Sequence, residues 1–173
     1  WYKGKIFLYD NHRGFDEKNI LSMFEVAAKK YNCKVFLADN LMTIRSSDNE
    51  KDFYRKQGLL VHTLTQFSKK YDVHVHLVAH PKKQDGRIKK NDISGTGDIT
   101  NIADNVFAVA RVTDEMKREK SGLDGSDTVI SILKNRSHGV SDRDILLDFN
   151  SKSRRLKQSG EYGEKSYGWE GDK

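Results

Sequence analysis

The sequence predicts an α/β fold, with a parallel central sheet, helices on both of its faces and antiparallel strands that extend it toward the C-terminal end. In the first half of the chain, short apolar runs alternate with segments of helical periodicity. Such alternation is typical of a parallel sheet whose faces are covered by helices. From residue 106 on, three apolar runs follow one another with no helical period between them, which indicates antiparallel pairing.

Length and composition limit the class of protein. The 173 residues, 36% hydrophobic and 32% charged, suit one soluble globular domain, for which we expect residues 1–156, followed by a flexible tail over residues 157–173. No apolar run reaches the roughly 18 residues that a membrane span needs, so we expect no membrane partner and a cytosol-like compartment. Cys33 is the only cysteine, which excludes an internal disulfide. The net charge of +6 is compatible with a polyanionic partner.

The first half contains five predicted elements. The apolar run IFLY at residues 6–9 predicts a first strand. Residues 16–31 have apolar side chains at helical spacing, with acids at the start and lysines at the end, which complements a helix dipole. Residues 34–38 predict a second strand, residues 50–71 a second helix and residues 73–79 a third strand.

The second half changes character. Residues 82–92, KKQDGRIKKND, predict a polar surface loop. After it we expect a glycine turn at Gly95 and Gly97, a short helix near Asp98, and strands at residues 106–112, 128–134 and 144–149.

The carboxyl ends of the parallel strands are the place to look for a ligand site, because the loops converge there. The second strand ends in VFLAD, followed by Asn40. Four apolar or small residues and an acid are typical of a Walker B strand, whose aspartate, here Asp39, holds Mg²⁺ beside nucleotide phosphates directly or through water. The alternative is an ordinary turn former or helix cap at a strand end.

His80 ends the third strand at the equivalent level, where an imidazole can contact a γ-phosphate and move the loop that follows. His74 and His76 share its strand face, and a His-x-His pair can bind zinc. At 3.3 Å per residue, however, these two lie about 20 Å and 13 Å before the end of the strand. We therefore expect His74 and His76 to be solvated or satisfied in the core, and a zinc hydrolase is the least favoured class.

The loop after His80 is basic. Its cations suit contact with a phosphodiester backbone, which needs charge and reach but no reading of bases. The alternative is a solvated loop, and the position after His80 favours the DNA-binding hypothesis. The cationic residues are Lys82, Lys83, Arg87, Lys89 and Lys90.

Lys134 and Arg136 end the strand TVISILKNR and are expected on the face of Ile130 and Ile132, beyond the core. A guanidinium held there suits bidentate phosphate binding and the stabilisation of charge in phosphoryl transfer. Taken alone, the segment favours the alternative, a surface basic pair at a strand end.

Together these motifs resemble the RecA-like P-loop motor domain of hexameric replicative helicases, the DnaB family, and within it the phage helicase-primase and Twinkle-like branch. The likeness runs from residue 6 to residue 156. It rests on four motifs in order: KVFLADNL, VHLVAHPKK, DISGTGDITNIADNVFAVAR and ILKNRSHG. The segment SGTGDITNIADN is the most specific of them.

The resemblance implies a role for each motif. Asp39 would organise Mg²⁺, with Asn40 also at the site of ATP or another NTP, and His80 would contact the γ-phosphate. Arg136, with Lys134, would reach the nucleotide of a neighbouring subunit, which requires a head-to-tail ring, a hexamer in this family. Single-stranded DNA would be gripped by the central-channel loop, and a primase or helicase loader is a further expected partner. The loop residues carried over are Lys82, Lys83, Lys89 and Gly95.

Two features depart from the family pattern. The glycine cradle G-x-x-x-x-G-K-[ST] should precede the first strand, but only Gly4 and Lys5 stand there. Truncation is the expected reason, and the chain as it stands is expected to be inactive as an ATPase. The second departure is that the loop after the first strand reads NHRG and lacks a water-activating glutamate; Asp16 and Glu17 lie nearby, and the catalytic base stays unassigned.

Two alternatives remain open. A recombinase of the RecA class is the nearest other enzyme, and it would coat DNA as a filament rather than encircle it. A degenerate RecA-like module that binds DNA or a protein partner without hydrolysing nucleotide is the non-enzymatic alternative.

Overall fold

The computed structural model describes 4–9, 17–41, 50–81, 88–93, 97–119, 122–123 and 125–160. The described residues fall into two compact units, with the boundary between Val106 and Phe107.

The first unit is built on a parallel strand pair. Helix α1 (Glu17–Tyr31) leads into β1 (Val35–Ala38), and α2 (Glu50–Tyr71) leads into β2 (His74–Leu77). The two strands are parallel, with Val35 opposite His74 and Ala38 opposite Leu77. Helix α3 (Gly97–Ile102) ends the unit. This arrangement confirms the predicted parallel pairing.

Three phenylalanines join the two helices to one face of β1. The ring centroid of Phe36 lies 4.7 Å from that of Phe24 in α1 and 5.2 Å from that of Phe67 in α2. Both helices pack on the face that buries Phe36. Val35 and Leu37 point to the opposite face and are 64% and 66% exposed. Helices were expected on both faces of the sheet, and α1 and α2 both lie on one.

A second apolar cluster lies beside the phenylalanines. It joins the end of β1, the middle of α2 and the start of α3 through buried aliphatic side chains. Its buried members are Leu41, Leu60, Val61, Leu64 and Ile99. The cluster fixes the residues that follow β1 relative to α3.

Residues 6–9 do not form the predicted first strand. Their side chains are exposed, and the ring of Phe7 stacks on that of Tyr31 with the centroids 4.6 Å apart. A strand is defined by hydrogen bonds to a neighbour, and a four-residue apolar run carries no information about where that neighbour is. The prediction of a strand at residues 6–9 is therefore wrong.

The second unit is a four-stranded sheet in the order β3-β4-β5-β6. Antiparallel registers join β4 to β5, with Ile130 opposite Ile145, and β5 to β6, with Phe149 opposite Leu156. The predicted antiparallel strands therefore form a sheet of their own. Its strands are β3 (Asn105–Arg111), β4 (Thr128–Asn135), β5 (Arg143–Asn150) and β6 (Arg155–Gln158).

Helix α4 (Asp114–Glu119) lies in the connection between β3 and β4, where a loop was expected. The backbone N–H of Met116 donates to Oγ1 of Thr113, which caps the helix. Met116 is buried with Leu123 and Val129, so this helix covers the start of β4. The predicted tail starts at residue 157, within β6, and its residues 161–173 lie outside the described residues.

Candidate functional site

The carboxyl end of β1 has an irregular hydrogen-bond pattern. Val78 N–H donates to the carbonyl of Ala38 at 3.0 Å, as in a regular parallel ladder. The carbonyl of Val78 then accepts from Leu41 N–H at 2.8 Å, one residue later than a regular ladder requires. The extra residue is a bulge, and it reverses the phase of the side chains that follow. Leu41 consequently points into the core and is 1% exposed, whereas alternation from Ala38 would have placed Asn40 there.

This bulge brings Asn40 to His80. The side-chain Nδ2 of Asn40 lies 3.0 Å from Nε2 of His80, within hydrogen-bonding distance. Asn40 is half-buried and His80 is exposed. The two predicted strand-end residues are therefore in direct contact across the carboxyl edge of the parallel pair.

Asp39 is exposed at the same edge, immediately after β1. Its carboxylate is an oxygen ligand of the kind Mg²⁺ prefers, and Mg²⁺ commonly keeps several waters and takes one or two carboxylates from a protein. Asp39 fits that requirement. Among the described residues no three His, Cys, Asp or Glu side chains are grouped to hold a metal ion by themselves.

The base of the basic loop lies directly after His80. Pro81 and Ile93 form an isolated antiparallel bridge, so these two residues lie side by side. A residue before proline is restricted to extended backbone, which limits the conformations of His80. Sequence reasoning did not find this bridge, because a single pair of residues leaves no periodic pattern.

The structure describes only part of the predicted DNA-binding loop. Lys82, Lys83, Arg87 and Gly95 lie outside the described residues. A short 3₁₀ helix, Lys90–Asp92, follows Lys89. The backbone N–H of Lys89 donates to Oδ2 of Asp92 at 2.6 Å, and the side chain of Lys89 is exposed.

The predicted phosphate-binding pair lies at the end of β4 in the second unit. Lys134 is the second-last residue of β4. It is half-buried and lies on the same face of the strand as Ile132. Arg136 lies outside the strand, because Asn135 ends it: the carbonyl of Asn135 accepts from Gly139 N–H and its Oδ1 accepts from His138 N–H. Arg136 is therefore held by a turn and exposed, whereas a strand was expected to hold it.

His74 and His76 are exposed on the face of β2 that lies beside Val35 and Leu37, and their ring centroids are 4.4 Å apart. The described residues add no third ligand to this pair. No helix in the described part of the chain has the length and apolar character to cross a membrane.

Comparison with known proteins identifies the fold. No protein-family model matches the sequence, and no curated protein has a significant match to it. Among solved structures, a DnaB-like replicative helicase, studied with its interactions with primase, superimposes with a TM-score of 0.64 over 83% of this chain at 19% identity. The KaiC-like protein PH0186 from Pyrococcus horikoshii OT3 gives a TM-score of 0.60 over 90% of this chain at 17% identity.

The chain has the RecA-like ATPase fold. This confirms the predicted fold class. In the RecA-like fold, as in other open α/β sheets, the ligand site is expected at the carboxyl edge of the parallel strands, the edge at which Asn40 meets His80. The chain spans 35% of the helicase chain and 61% of the KaiC-like chain, so it corresponds to part of each.

Proposed function

We propose that this chain is part of the motor domain of an ATP-dependent replicative DNA helicase, which couples NTP hydrolysis to movement along single-stranded DNA and to duplex unwinding. The contact between Asn40 and His80 is the main support for the proposal. It joins the end of a Walker B-like strand to the residue that lies just before the basic loop. The RecA-like fold and the order of the four motifs support it. The motifs favour the phage helicase-primase and Twinkle-like branch.

In this proposal each strand-end residue has one task. Asp39 would hold Mg²⁺ through its carboxylate, and the bound ion would neutralise charge on the phosphates. His80 donates a hydrogen bond to the terminal phosphate of the nucleotide. Loss of that phosphate removes the bond, and because Pro81 follows directly, the base of the basic loop responds to the change.

The remaining cations are proposed to act outside their own subunit's nucleotide site. Arg136, with Lys134, reaches the nucleotide of the next subunit in a ring, where a guanidinium stabilises the charge of phosphoryl transfer. The loop cations grip the DNA backbone without reading its sequence. A primase or a helicase loader is a further proposed partner, and the solved DnaB-like helicase interacts with primase.

The test uses the complete product of the open reading frame that encodes this chain. We expect ATP hydrolysis that single-stranded DNA stimulates, and unwinding of a forked duplex. Substitution of Asp39 by Asn should remove most of the hydrolysis, since it removes the carboxylate proposed for Mg²⁺. Asp114→Asn, an exposed aspartate in α4, is the matched control and should retain full activity. Hydrolysis that is unaffected by Asp39→Asn would contradict the proposal.

A second function, a RecA-like module that binds DNA without hydrolysing nucleotide, is favoured by one observation. The 173-residue sequence does not contain the motif G-x-x-x-x-G-K-[ST], whose backbone amides and lysine bind phosphates. The complete protein would then bind single-stranded DNA and show no ATP hydrolysis. A recombinase would hydrolyse ATP but would assemble filaments rather than closed rings, which electron microscopy distinguishes.

A further inference from the structure

We propose that Asn40 is a positioning residue that holds His80 in the neutral tautomer protonated at Nδ1, so that Nδ1–H is the group available to a terminal phosphate. The inference rests on the proposed function for the phosphate and on the geometry alone for the tautomer. It replaces the expectation that Asn40 itself contacts the nucleotide.

The tautomer follows from which atoms of the two side chains can donate a hydrogen bond and which can accept one. The atom of Asn40 that faces His80 is the amide nitrogen Nδ2, which can donate but cannot accept. Nε2 of His80 must therefore accept, which requires a lone pair at Nε2 and leaves the ring proton on Nδ1. An imidazole protonated at Nε2 would instead bring two donors together 3.0 Å apart.

The backbone explains why Asn40 can do this. Without the bulge after Ala38, alternation would turn Asn40 toward the core and Leu41 toward His80. The extra residue exchanges them, so an apolar side chain fills the core and an amide meets the imidazole. On the other strand, Pro81 restricts the backbone of His80 to extended conformations. Main-chain features thus orient both partners.

A defined tautomer has a chemical consequence for a phosphate contact. A phosphate oxygen only accepts, so an imidazole that meets it must present an N–H. An imidazole that exchanges between tautomers presents Nδ1–H for part of the time, whereas one fixed by Asn40 presents it throughout. This is the same role that second partners play for metal-binding histidines, whose free nitrogen is set by the hydrogen bond at the other.

The first test measures the tautomer directly on the 173-residue chain, without nucleotide. Two-bond ¹⁵N–¹H spectra at pH 8, where imidazoles are ordinarily neutral, distinguish protonated from unprotonated ring nitrogens, and His80→Gln identifies the signals of His80. We expect Nε2 unprotonated and Nδ1 protonated. A ring protonated at Nε2 would overturn the proposal.

Two variants of Asn40 sharpen this test. Asn40→Asp keeps the shape but offers only acceptors, so the ring proton should move to Nε2. Asn40→Leu removes hydrogen bonding at similar size, so His80 should show a mixture of tautomers. Amide dispersion like that of the wild type shows that each variant is folded. A His80 spectrum that Asn40→Asp and Asn40→Leu both leave unchanged would overturn the assignment.

The second test links the tautomer to hydrolysis in the complete protein. Asn40→Leu, which adds no charge beside the phosphates, should lower kcat by up to about tenfold, the cost of one misdirected hydrogen bond, and leave the KM for ATP unchanged. A raised KM with unchanged kcat would show that Asn40 binds nucleotide and would overturn its positioning role. The two tests fail separately: unchanged hydrolysis in His80→Ala overturns the proposed function, whereas an Nε2–H ring in the free chain overturns the role of Asn40.

Discussion

The ammonium of Lys90 donates a hydrogen bond to Oδ1 of Asn101 over 3.5 Å, which ties the C-terminal end of the basic loop to α3. Lys90 is half-buried, whereas the neighbouring Lys89 is exposed. The two adjacent lysines therefore differ in what they can offer a ligand. Lys89 is the better candidate for contact with a phosphate backbone, and Lys90 for holding the loop.

Substitution of these two lysines should separate binding from loop anchoring. Lys89→Ala should weaken single-stranded DNA binding uniformly across sequences and reduce the salt slope by about 1, as expected for one lost phosphate contact. Lys90→Ala should change that slope less. Fluorescence anisotropy over a salt series measures both, with Lys69→Ala in the last turn of α2 as the control. An equal or larger slope change in Lys90→Ala would contradict the assignment.

Arg136 should be needed for hydrolysis and not for DNA binding. In the complete protein, Arg136→Ala should lower DNA-stimulated ATP hydrolysis by about 10³-fold, the magnitude known for arginines that act on a neighbour's nucleotide. Arg136→Lys should restore little, because an ammonium does not reproduce bidentate geometry. Lys152→Ala, an exposed cation in the turn after β5, serves as the control. Full hydrolysis in Arg136→Ala would exclude the role proposed for it.

Gln57 should be a source of instability. Its side chain is 0% exposed in α2, and neither Nε2 nor Oε1 has a hydrogen-bond partner among the residues that the structure describes. Gln57→Met keeps the volume and removes the unpaired polar atoms, so it should raise the free energy of unfolding by about 1 kcal/mol or more. Urea denaturation measures the change, with exposed Gln158→Met as the reference. A less stable Gln57→Met would show that the buried amide is paired.

Ser131 should contribute to the stability of the second unit. Its buried Oγ donates to Oδ1 of Asp144 at 2.7 Å, directly across the β4–β5 register. Ser131→Ala should therefore cost about 1.5 to 3 kcal/mol, the range for a hydrogen bond to a charged group. Asp144→Asn retains an acceptor and should cost less. Thermal denaturation compares both with Ser141→Ala, an exposed serine whose removal should have little effect.

The contact between α1 and α2 should depend on acid pH. The hydroxyl of Tyr71 and the ammonium of Lys70, both next to Glu25, hold the pKa of that carboxyl below its ordinary value of 4.5. Lys70 Nζ lies 3.3 Å from Oε1 of Glu25. A lowered pKa in the folded state means that the stabilisation is fully present above pH 4.5 and is lost as pH falls through the folded-state value.

Thermal denaturation from pH 7 to pH 2 should show this dependence. The wild type should have a higher Tm than Glu25→Gln at pH 7, and the difference should shrink as the pH falls below 4.5. The effect should be small, because the side chains of Glu25 and Lys70 are 39% and 65% exposed and solvent screens their charges. Asp142→Asn removes an exposed carboxylate from the connection between β4 and β5 and should show no such trend. A difference that grows toward acid pH would contradict the sign.

Most elements of the fold could be predicted from periodicity, because in α1, α2 and the strands β1 to β5 one side-chain face is less exposed than the other. Helix α4 was missed since DEMKRE carries a single buried side chain, Met116, although Thr113 followed by two acids is a recognisable N-terminal signal. Strand β6 was missed because RLKQ is a polar segment, and only its hairpin partner defines it.

The candidate site was predicted in part. The sequence places Asn40 and His80 at neighbouring strand ends, and the structure brings them together. The bulge that turns Asn40 toward His80 could not be predicted, because the apolar pattern continues through Leu41 without a visible break. The position of Arg136 beyond the strand depends on the side chain of Asn135, which a pattern of alternation does not report.

The bridge between Pro81 and Ile93 makes the segment between them suitable for replacement by other sequences. Since Pro81 and Ile93 are paired, exchange of residues 82–87 for a sequence of different charge or length should leave the positions of both residues unchanged. Segments taken from other proteins can then be compared within the same surrounding structure. Such a series would report what the graft contributes, with the geometry around His80 held constant.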